Sequence, residues 1–454
     1  MANTSLSRLC TGSLPDSARY KFTFSGWFKI SGLNTSAYVF NAYATGDFRC
    51  FVAFDTDKLV LKNFNSGTLN TNVQTSQVFR DTSAWYHVVV TGDTTQATAS
   101  DRVKFYVNGE EVTSYSATTY PSQNSAFELG TGGGAWTHYV GSGAGGDYFN
   151  GSMAHVHYTQ QYAYTASDFG ETDATTGIWK PKTSPSVTYN VNSWFLKFEN
   201  SGSMGTDSSG NANNFTVNGT MTQTIDTPSN VFATLNPLYV PSASPPTFSN
   251  GNLTAVSGST SYFGGASNLG VSSGKWYWEV KIITDNDNPV VEIGNVDDYT
   301  PLVFNSNNGV YLSYSSTGYG YCSNGNKRNN NSETSFGNTY TTNDVIGVAL
   351  DLDNNKLYFA KNGVWQNSGD PTSGASGTGS AYSVSSGKTY VASCGDGSST
   401  GTETFSFNFG NGYFGTTAVS SAENPDDGIG IFEYAVPTGY KALCTKSINS
   451  QEYS

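Results

Sequence analysis

Residues 344–365 read DVIGVALDLDNNKLYFAKNGVW and contain two apolar runs separated by the pair Asn354-Asn355. Asparagine tolerates the left-handed backbone of a tight turn, so this pair predicts a hairpin between two strands. Both runs contain β-branched or aromatic residues, which pack well on a pleated surface. The segment therefore predicts an antiparallel sheet in the second half of the chain.

The same pattern occurs on both sides of this hairpin. Residues 20–30 (YKFTFSGWFKI) alternate between apolar and polar positions, as expected for a strand with one face in a core. Residues 103–112 (VKFYVNGEEV) contain Asn-Gly, a pair typical of a type I′ hairpin turn. Because no helical pattern interrupts these strands, the sequence predicts an all-β protein with two antiparallel, jelly-roll-like β-sandwiches.

Stretches rich in proline and polar residues indicate where the domains end. Pro241, Pro245 and Pro246 fix the backbone and favour an extended connector. The predicted organisation is a sandwich over 1–185, a Pro/Ser-containing linker with a small β element over 186–247, a sandwich over 248–415, and a C-terminal extension over 416–454. A chain of 454 residues accommodates two or three domains.

Composition excludes several classes of protein. The net charge of −13 disfavours binding to nucleic acid and to anionic membranes. No stretch approaches the ~20 apolar residues that a membrane span needs, so we expect no membrane insertion. The five cysteines are widely separated, which favours buried free thiols over disulfides or a zinc site. We also expect synthesis without a secretion signal.

Four segments of the first half resemble one family when they are taken together. These are FTFSGWFKI (22–30), WYHVVVTGD (85–93), VKFYVNGEEV (103–112) and FNGSMAHVHYTQQYAYTASDF (149–169). In order and spacing they resemble the laminin-G-like branch of the concanavalin A-like lectin and glucanase superfamily. The resemblance covers about residues 1–170 and implies a β-sandwich whose relatives often carry calcium.

The second half looks like a SPRY domain over about residues 250–412. The resemblance rests on KWYWEVKI (275–282), VVEIGN (290–295), the hairpin at 344–365 and FSFNFG (405–410). It implies a second β-sandwich that uses loops at one end to hold its partners.

Three further segments are similar to structural proteins of tailed phages from marine bacteria. They are DSSGNANNFTVNG (207–219), DTPSNVFATLNPL (226–238) and GIGIFEYAVPTGYKALCT (428–445). The junction at 207–238 is the most telling, on the reasoning that a folding core does not demand such a sequence. The resemblance implies a virion protein made in the host cytoplasm, placed in a tail fibre or a capsid decoration and used in host attachment. Its implied partners are other virion proteins and host-surface polysaccharide, with a homo-oligomer, a trimer favoured, or multiple copies on the particle.

Two glycine- and asparagine-rich loops hold the candidate contact residues. In 130–149, aromatic rings among glycines could stack on sugar C–H surfaces, or could instead pack against the sandwich or a neighbouring subunit. In 319–331, aromatic and basic side chains could grip a partner, or could belong to a solvated loop. The candidates for glycan or partner contact are Trp136, His138, Tyr139, Tyr148, Tyr319, Tyr321, Lys327 and Arg328.

Metal binding is weakly indicated. Asp285 and Asp287 offer oxygen ligands that suit Ca²⁺, although a solvated loop is the favoured interpretation. His155 and His157 would share one face of a strand but lack a third ligand, so a structural pair is the simpler interpretation. No other cofactor is predicted.

The sequence offers no convincing catalytic set. The acidic pairs Asp55/Asp57 and Asp351/Asp353 fall at predicted turns, and the GxSxG match at 397–401 lacks the helix that a nucleophile elbow needs. We therefore expect no enzyme, and predict a phage virion structural and adhesion protein that binds host-surface glycans. The alternatives are a polysaccharide-active hydrolase and a non-viral protein-interaction module.

Overall fold

The chain folds into two compact units. The structure is a computed structural model that describes residues 4–12, 15–33, 35–130, 136–240, 244–258, 262–296, 312–397 and 401–452. Unit 1 comprises Met1–Gln223 and Thr227–Ser229, and unit 2 comprises Thr224–Asp226 and Asn230–Ser454. Both are built from antiparallel sheets, which confirms the predicted all-β class.

Unit 1 contains a large and a small sheet. Its strands are β1 (Ser5–Leu9), β2 (Lys21–Ile30), β3 (Ser36–Thr45), β4 (Phe48–Asp55), β5 (Lys58–Asn65), β6 (Thr68–Thr75), β7 (Trp85–Asp93), β8 (Val103–Val107), β9 (Glu110–Glu111), β10 (Tyr115–Thr119), β11 (Thr137–Val140), β12 (Gly151–Gln160), β13 (Gly170–Thr172), β14 (Trp179–Pro181), β15 (Trp194–Leu196) and β16 (Thr216–Asn218). The large sheet has the order β10-β6-β5-β4-β3-β11-β1-β16, the small sheet has the order β15-β12-β2-β7-β8-β9, and β13 pairs with β14. The single α-helix described in this unit, α1, spans Ala166–Phe169, and 3-10 turns span Asp16–Arg19 and Ala99–Asp101.

The core of unit 1 follows the alternation of its strands. On β2, Phe22, Phe24 and Phe28 belong to the buried core cluster. Phe24 stacks on Phe40 of the large sheet with ring centroids 5.3 Å apart, so the two sheets pack face to face. Each fully buried phenylalanine contributes roughly 1.5–3 kcal/mol relative to exposure.

The hairpins occur where the sequence predicts them. Asn108 and Gly109 adopt φ of 50° and 94° between β8 and β9, as a type I′ turn requires. Thr56 and Asp57 adopt φ of 50° and 64° between β4 and β5. Asn355 adopts φ of 58° in the hairpin from which the second sandwich was predicted.

The segment predicted as a linker belongs largely to unit 1. β15 pairs with β12 in the small sheet, and β16 pairs with β1 in the large sheet. The domain boundary predicted at residue 185 therefore differs from the division in the structure. The reason is that 186–223 supplies edge strands whose apolar side chains, such as Trp194, complete the core.

The junction sequence is also part of this fold. The Asp207 carboxylate accepts hydrogen bonds from the backbone N–H of Phe195 at 2.9 Å and of Asn213 at 2.8 Å. Asn213 Nδ2 in turn donates to the Val191 and Ser193 carbonyl oxygens, both at 2.8 Å. The premise that a folding core does not demand this sequence is therefore wrong, because its Asp and Asn residues satisfy buried backbone groups.

Unit 2 has the sheets of a second sandwich. Its strands are β17 (Thr247–Ser249), β18 (Thr254–Val256), β19 (Phe263–Val271), β20 (Lys275–Thr284), β21 (Pro289–Asn295), β22 (Gly318–Cys322), β23 (Asn326–Asn329), β24 (Ser332–Ser335), β25 (Val345–Asp351), β26 (Lys356–Lys361), β27 (Val364–Trp365), β28 (Tyr382–Ser383), β29 (Tyr390–Asp396), β30 (Thr404–Asn408), β31 (Tyr413–Phe414), β32 (Thr417–Ala418) and β33 (Lys441–Ala442). One sheet follows β17-β18-β30-β20-β25-β26-β27, with β28 on β26 and β33 on β20, and the other follows β19-β29-β21-β22-β23-β24. β31 pairs with β32. Helix α2 spans Thr445–Glu452, and 3-10 turns span Leu312–Tyr314, Gln366–Ser368 and Gly374–Ser376.

The C-terminal extension is a layer of unit 2. Phe432 and Tyr440 form one buried cluster with Tyr277 of β20. The buried Glu279 carboxylate holds this layer in place, since it accepts hydrogen bonds from the backbone N–H of Glu433 and Tyr434, both at 2.9 Å. The extension predicted at 416–454 thus packs on the sheet as an integral part of the fold.

Two exclusions made from composition can be compared with the structure. Cys10, Cys50, Cys322, Cys394 and Cys444 are all buried and free, which confirms the prediction of buried thiols. Within the described ranges, no helix has both the length and the apolar character that crossing a membrane would require.

Candidate functional site

The outer face of the large sheet in unit 1 gathers aromatic side chains beside amides and cations. On β4, Cys50 and Val52 point into the core, so Phe51 between them points outward. The same alternation applies to β5 and, on either side of a register shift between Tyr38 and Phe40, to β3. We name this surface the aromatic face and define it as Tyr38, Asn41, Tyr43, Arg49, Phe51, Phe64 and Tyr139.

The strand registers align one row of side chains across the sheet. Tyr43 lies beside Arg49, and Arg49 lies beside Phe64. Leu9 and Leu69, which are 51% and 38% exposed, lie at the two ends of this row. With neighbouring strands ~4.8 Å apart, the row from β1 to β6 spans about 24 Å. A surface of this length suits an extended ligand better than a single small molecule.

The rings of the aromatic face contact one another directly. Tyr38 and Phe51 have ring centroids 4.3 Å apart, and Phe51 and Phe64 have centroids 6.4 Å apart with an interplanar angle of 18°. The Arg49 guanidinium carbon lies 3.9 Å from the centroid of the Phe64 ring, a cation–π contact. Phe51 is buried under its neighbours, whereas Tyr38, Phe64 and Arg49 remain half-buried. The half-buried groups are the ones that a ligand can reach.

Amide groups lie among these rings. Asn41 is 1% exposed, and its Oδ1 makes no hydrogen bond to any residue in the described ranges. Asn72 Oδ1, on the same face of β6, is also buried without such a partner. Buried polar atoms are nearly always hydrogen-bonded, and leaving one unpaired costs about 1–3 kcal/mol. Both oxygens lie below the surface that a ligand can reach, so the half-buried rings and Arg49 are the candidate contacts.

Positively and negatively charged groups lie together at one end of the aromatic face. Burial raises the pKa of Tyr38 to about 12, and the nearby Asp147 carboxylate adds to this effect while Arg49 opposes it. Lys62 Nζ donates to Asp55 Oδ2 at 3.0 Å, so that carboxylate is already paired. The aromatic face therefore consists mainly of neutral rings and amides, and the Asp55 carboxylate at its edge is balanced by Lys62.

The structure divides the four candidates of the glycine-rich loop into two groups. Tyr139 lies on the aromatic face, and Tyr148 is half-buried and forms a bridge with Tyr38 at its edge. Trp136 is 5% exposed and His138 is fully buried, so both are core residues. Their prediction as ligand contacts is corrected, because alternation along β11 turns His138 inward and Tyr139 outward.

His138 is held as a neutral imidazole inside the core. Trp194 Nε1 donates to its Nδ1 at 3.0 Å, and its Nε2 bonds to the Leu129 carbonyl oxygen at 3.0 Å. An indole N–H can only donate and a carbonyl can only accept, so the single ring proton must be on Nε2. Burial, with a smaller contribution from the Arg8 charge, lowers the pKa of His138 to about 3.

The four candidates in unit 2 lie in a hairpin and not in an open loop. Tyr319 and Tyr321 are on β22 and are 8% and 0% exposed, so alternation places both in the core. Lys327 on β23 is half-buried, with Nζ 4.9 Å from the Tyr382 ring centroid. Arg328 is buried and bonds to a carboxylate of β24. The prediction that Tyr319, Tyr321 and Arg328 contact a partner is therefore corrected, because all three side chains are buried.

The weak calcium candidates lie beside a buried carboxylate. Asp285 is half-buried and Asp287 is exposed. The backbone N–H groups of Asn286 and Asp287 donate to Glu403 Oε1 and Oε2 at 2.9–3.2 Å. Among the described residues, no group of three or more His, Cys, Asp or Glu side chains is placed to hold a metal ion. The calcium hypothesis stays a prediction.

Both candidate acidic pairs are occupied within turns. Asp57 is 3% exposed and bonds to Arg80 Nε at 2.7 Å. Asp351 is fully buried and lies 3.3 Å from Lys275 Nζ, while Asp353 accepts the Gly274 N–H at 2.9 Å. Of the GxSxG match, residues 398–400 lie outside the described ranges.

The sequence reasoning missed the centre of the aromatic face. Tyr38, Tyr43 and Phe64 are not among the candidates predicted from the sequence, although each faces away from the core. The sequence contained one indication of this face. Strands β3, β4 and β5 carry large apolar residues both at positions that face the core and at positions that face outward. Such two-sided strands imply that the outer face also packs against or binds something.

Comparison with known protein families identifies two matches in the chain. Residues 7–168 match the family model described as the concanavalin A-like lectin/glucanases superfamily (Laminin_G_3), and residues 275–412 match the SPRY domain model. No curated protein sequence matches the chain. The crystal structure of the SPRY domain of human HERC1 is similar at 20% identity, covering 34% of this chain and 87% of that chain, with a TM-score of 0.26. A stonustoxin structure is similar at 18% identity, covering 39% of this chain and 27% of that chain, with a TM-score of 0.28.

The fold and the two matched families define a two-sandwich protein whose domain types serve as carbohydrate- or protein-binding modules. More specifically, the chain carries a laminin-G-like domain of the concanavalin A-like superfamily followed by a SPRY domain. The two family resemblances predicted from the sequence are confirmed. Both domain types act as modules for glycan or protein interaction.

Proposed function

We propose that this chain is a non-catalytic adhesion protein that binds glycans on the aromatic face of unit 1. The observation that carries the proposal is the contact series Tyr38, Phe51, Phe64 and Arg49 on a solvent-facing sheet. Flat rings pack against sugar C–H surfaces, and polar groups beside them bind hydroxyls. Arg49, half-buried beside the Phe64 ring, supplies such a group.

Binding without cleavage fits the arrangement of the carboxylates. Glycoside hydrolysis uses two carboxylates that flank the bond to be broken. On this face, Asp55 is paired with Lys62, and its neighbour in sequence, Asp57, is buried in the turn. The polysaccharide-active hydrolase is the alternative, and release of reducing ends from a polysaccharide by the full chain would establish it.

We further propose a phage virion as the setting, with the protein in a tail fibre or a capsid decoration. The proposal is supported by the sequence resemblance to structural proteins of tailed phages. The junction at 207–238 supports it less strongly than the sequence alone suggested, because the fold of unit 1 requires Asp207 and Asn213. Many copies on one particle would strengthen a weak site, since linked sites act at high effective concentration. A site of ~1 mM affinity would then suffice for adhesion.

The binding experiment uses the full chain, displayed at high density on a surface, against isolated host-surface polysaccharide. We expect Phe64→Ala and Tyr43→Ala each to weaken binding about ten-fold, since an aromatic contact is worth about 1 kcal/mol or slightly more. Tyr314→Ala is the matched control, because Tyr314 is 47% exposed but lies in unit 2. Equal loss in all three variants, or loss in none, would contradict the proposed face.

The setting is tested separately by mass spectrometry of purified phage particles. Peptides of this chain in stoichiometric amount support a virion protein. Their absence from particles, together with intact glycan binding, would leave the aromatic face standing and favour the non-viral interaction module.

A further inference from the structure

The small sheet of unit 1 is buried on both of its faces. Its inner face packs against the large sheet, yet the outward side chains Trp27, Trp85 and His87 are also only 2%, 7% and 0% exposed. Residues 161–192, which we name the cover, lie on this outer face. Ala166 and Phe169 of the cover form a buried cluster with Val89 of β7. The chain thus covers with its own segment a sheet face that would otherwise meet solvent.

Threonine hydroxyls connect the first part of the cover to the sheet. Thr23 Oγ1 donates to the Tyr162 carbonyl oxygen at 3.1 Å and accepts the Tyr164 N–H at 2.8 Å. Thr91 Oγ1 donates to the Tyr164 carbonyl oxygen at 2.6 Å. These bonds do not depend on the protonation of any side chain in the physiological range.

The central contact of the cover depends on a neutral histidine. Trp179 Nε1 donates to His87 Nδ1 at 3.0 Å, and His87 Nε2 lies 3.0 Å from Ser25 Oγ. Because the indole N–H can only donate, Nδ1 must be free of a proton and the ring proton is on Nε2. A proton on Nδ1 would place two hydrogens between the rings. Protonated His87 and the bonded Trp179 are therefore incompatible.

A second histidine contacts the far part of the cover. His157 Nδ1 lies 2.7 Å from the Tyr189 hydroxyl, and its ring centroid is 5.0 Å from that of Phe169. On its other side it stacks on Phe195 with centroids 3.8 Å apart. His157 is 1% exposed, so it too meets solvent only when the cover moves.

The charged groups around these rings do not favour an imidazolium. Lys29 on β2 shares the face with His87, and Lys197 and His155 oppose a charge on His157. Within the cover, the Asp168 carboxylate is used by the Thr165 N–H and hydroxyl at the start of α1. Burial lowers the pKa of His87 to about 3 and holds the pKa of His157 well below its usual value.

We propose that the cover is a proton-operated lock: it is closed by Trp179 on neutral His87 and opens in acid, exposing the aromatic outer face of the small sheet. Protonation takes place when the cover opens, because the closed contact excludes the proton. The core histidine, His138, bonds to Trp194 and Leu129 inside the sandwich, so it is not among the groups that opening of the cover exposes. The uncovered face presents His87 and Val89, with Trp27 stacked on His87 beside them.

Linkage gives the size of the effect. An uncovered histidine titrates near 6.5, whereas His87 under the cover stays neutral down to about 3. Between pH 7.5 and 5.0 the open population should therefore rise about 30-fold for His87 alone. A purely structural cover without this lock would show no such dependence.

The test is hydrogen exchange of the full chain at pH 7.5 and 5.0, corrected for the intrinsic pH dependence of exchange. We expect the amides of 161–192 to be less protected than those of β3 to β5 at both pH values and to exchange at least about 30-fold faster at pH 5.0, while those of β20 and β25 in unit 2, which contains no histidine, do not exchange faster. Protection of the cover equal to that of the large sheet, or no change in the cover, would overturn the proposal.

Variants assign the effect to the histidine. His87→Asn keeps an acceptor near Nδ1 without a titrating ring, so the acid-induced increase in exchange of the cover should become about 30-fold smaller, leaving the part that His157 contributes. His155→Asn is the control, since His155 lies on β12 next to His157 and should leave the acid response unchanged. Should H87N fail to fold, ring NMR of the wild-type histidines decides: His87 must remain a neutral Nε2–H tautomer until the cover opens. A His87 that titrates near 6.5 while the cover stays closed would overturn the proposal.

Discussion

Lowering the pH should destabilise unit 1 through His138 and leave unit 2 unaffected by this route. His138 is held neutral by Trp194 and Leu129, and burial lowers its pKa to about 3, below the usual 6.5. Its folded-state pKa is depressed, so the native state excludes a proton that the unfolded chain takes up. The associated stability is present above pH 6.5 and is lost as the pH falls from 6.5 towards 3.

The magnitude follows from the same two values. At pH 5, protonation of the unfolded chain at a pKa of 6.5, with His138 still neutral in the fold, lowers the unfolding free energy by about 2 kcal/mol relative to pH 7. All four histidines of the chain lie in unit 1, so this loss of stability in acid should be absent from unit 2. The effect is large against a typical stability of about 5–15 kcal/mol.

The assay is urea unfolding of the full chain at pH 7 and 5, with hydrogen exchange reporting each unit separately. His138→Asn should remove about 2 kcal/mol of the pH dependence of unit 1, even though the variant is less stable at pH 7. The reasoning would be refuted if H138N retained the full pH dependence, or if ring NMR showed His138 protonated at pH 6 in the folded protein.

Three further perturbations have expected results. Trp194→Phe leaves His138 Nδ1 without its donor and should lower the unfolding free energy of unit 1 by about 1–3 kcal/mol in urea, whereas an unchanged midpoint contradicts this role. Glu279→Gln should cost unit 2 about 1–3 kcal/mol at pH 8, because amide hydrogens would face N–H donors. Burial raises the pKa of Glu279 to about 7, so this group makes wild-type unit 2 less stable as the pH rises from 4.5 to 7, and urea unfolding should show E279Q without that slope. Gly109→Ala should lower the melting temperature more than Gly145→Ala: both positions have positive φ, of 94° and 96°, but only at Gly109 would a Cβ meet a ring, at 3.2 Å.

The strand pattern and the turns could be predicted from sequence because their causes are local. Alternation on β2 reflects burial of one face, and Asn108-Gly109 reflects the positive φ of its turn. The two domain families could be recognised for the same reason, since each depends on strands in a fixed order. The hairpin at Asn354-Asn355 is of this kind as well.

The candidate site could be predicted only in part because it depends on pairing between distant strands. Tyr139 was identified, but its neighbour Asn41 is set by the β11–β3 register, which no local pattern reveals. Trp136 and His138 were misassigned because glycine-rich surroundings suggested an open loop, whereas alternation along β11 turns His138 into the core. The boundary at 185 failed because edge strands as short as β15 are too brief to be recognised in a polar sequence.

The most direct test of the central claim is side-chain footprinting of the full chain with and without bound host-surface polysaccharide. Oxidative labelling reads the exposure of individual aromatic residues, and Tyr43 and Phe64 are half-buried in the free protein. The account predicts that bound polysaccharide protects these two rings while Tyr314 in unit 2 keeps its labelling. Protection confined to unit 2, with Tyr43 and Phe64 unchanged, would contradict it.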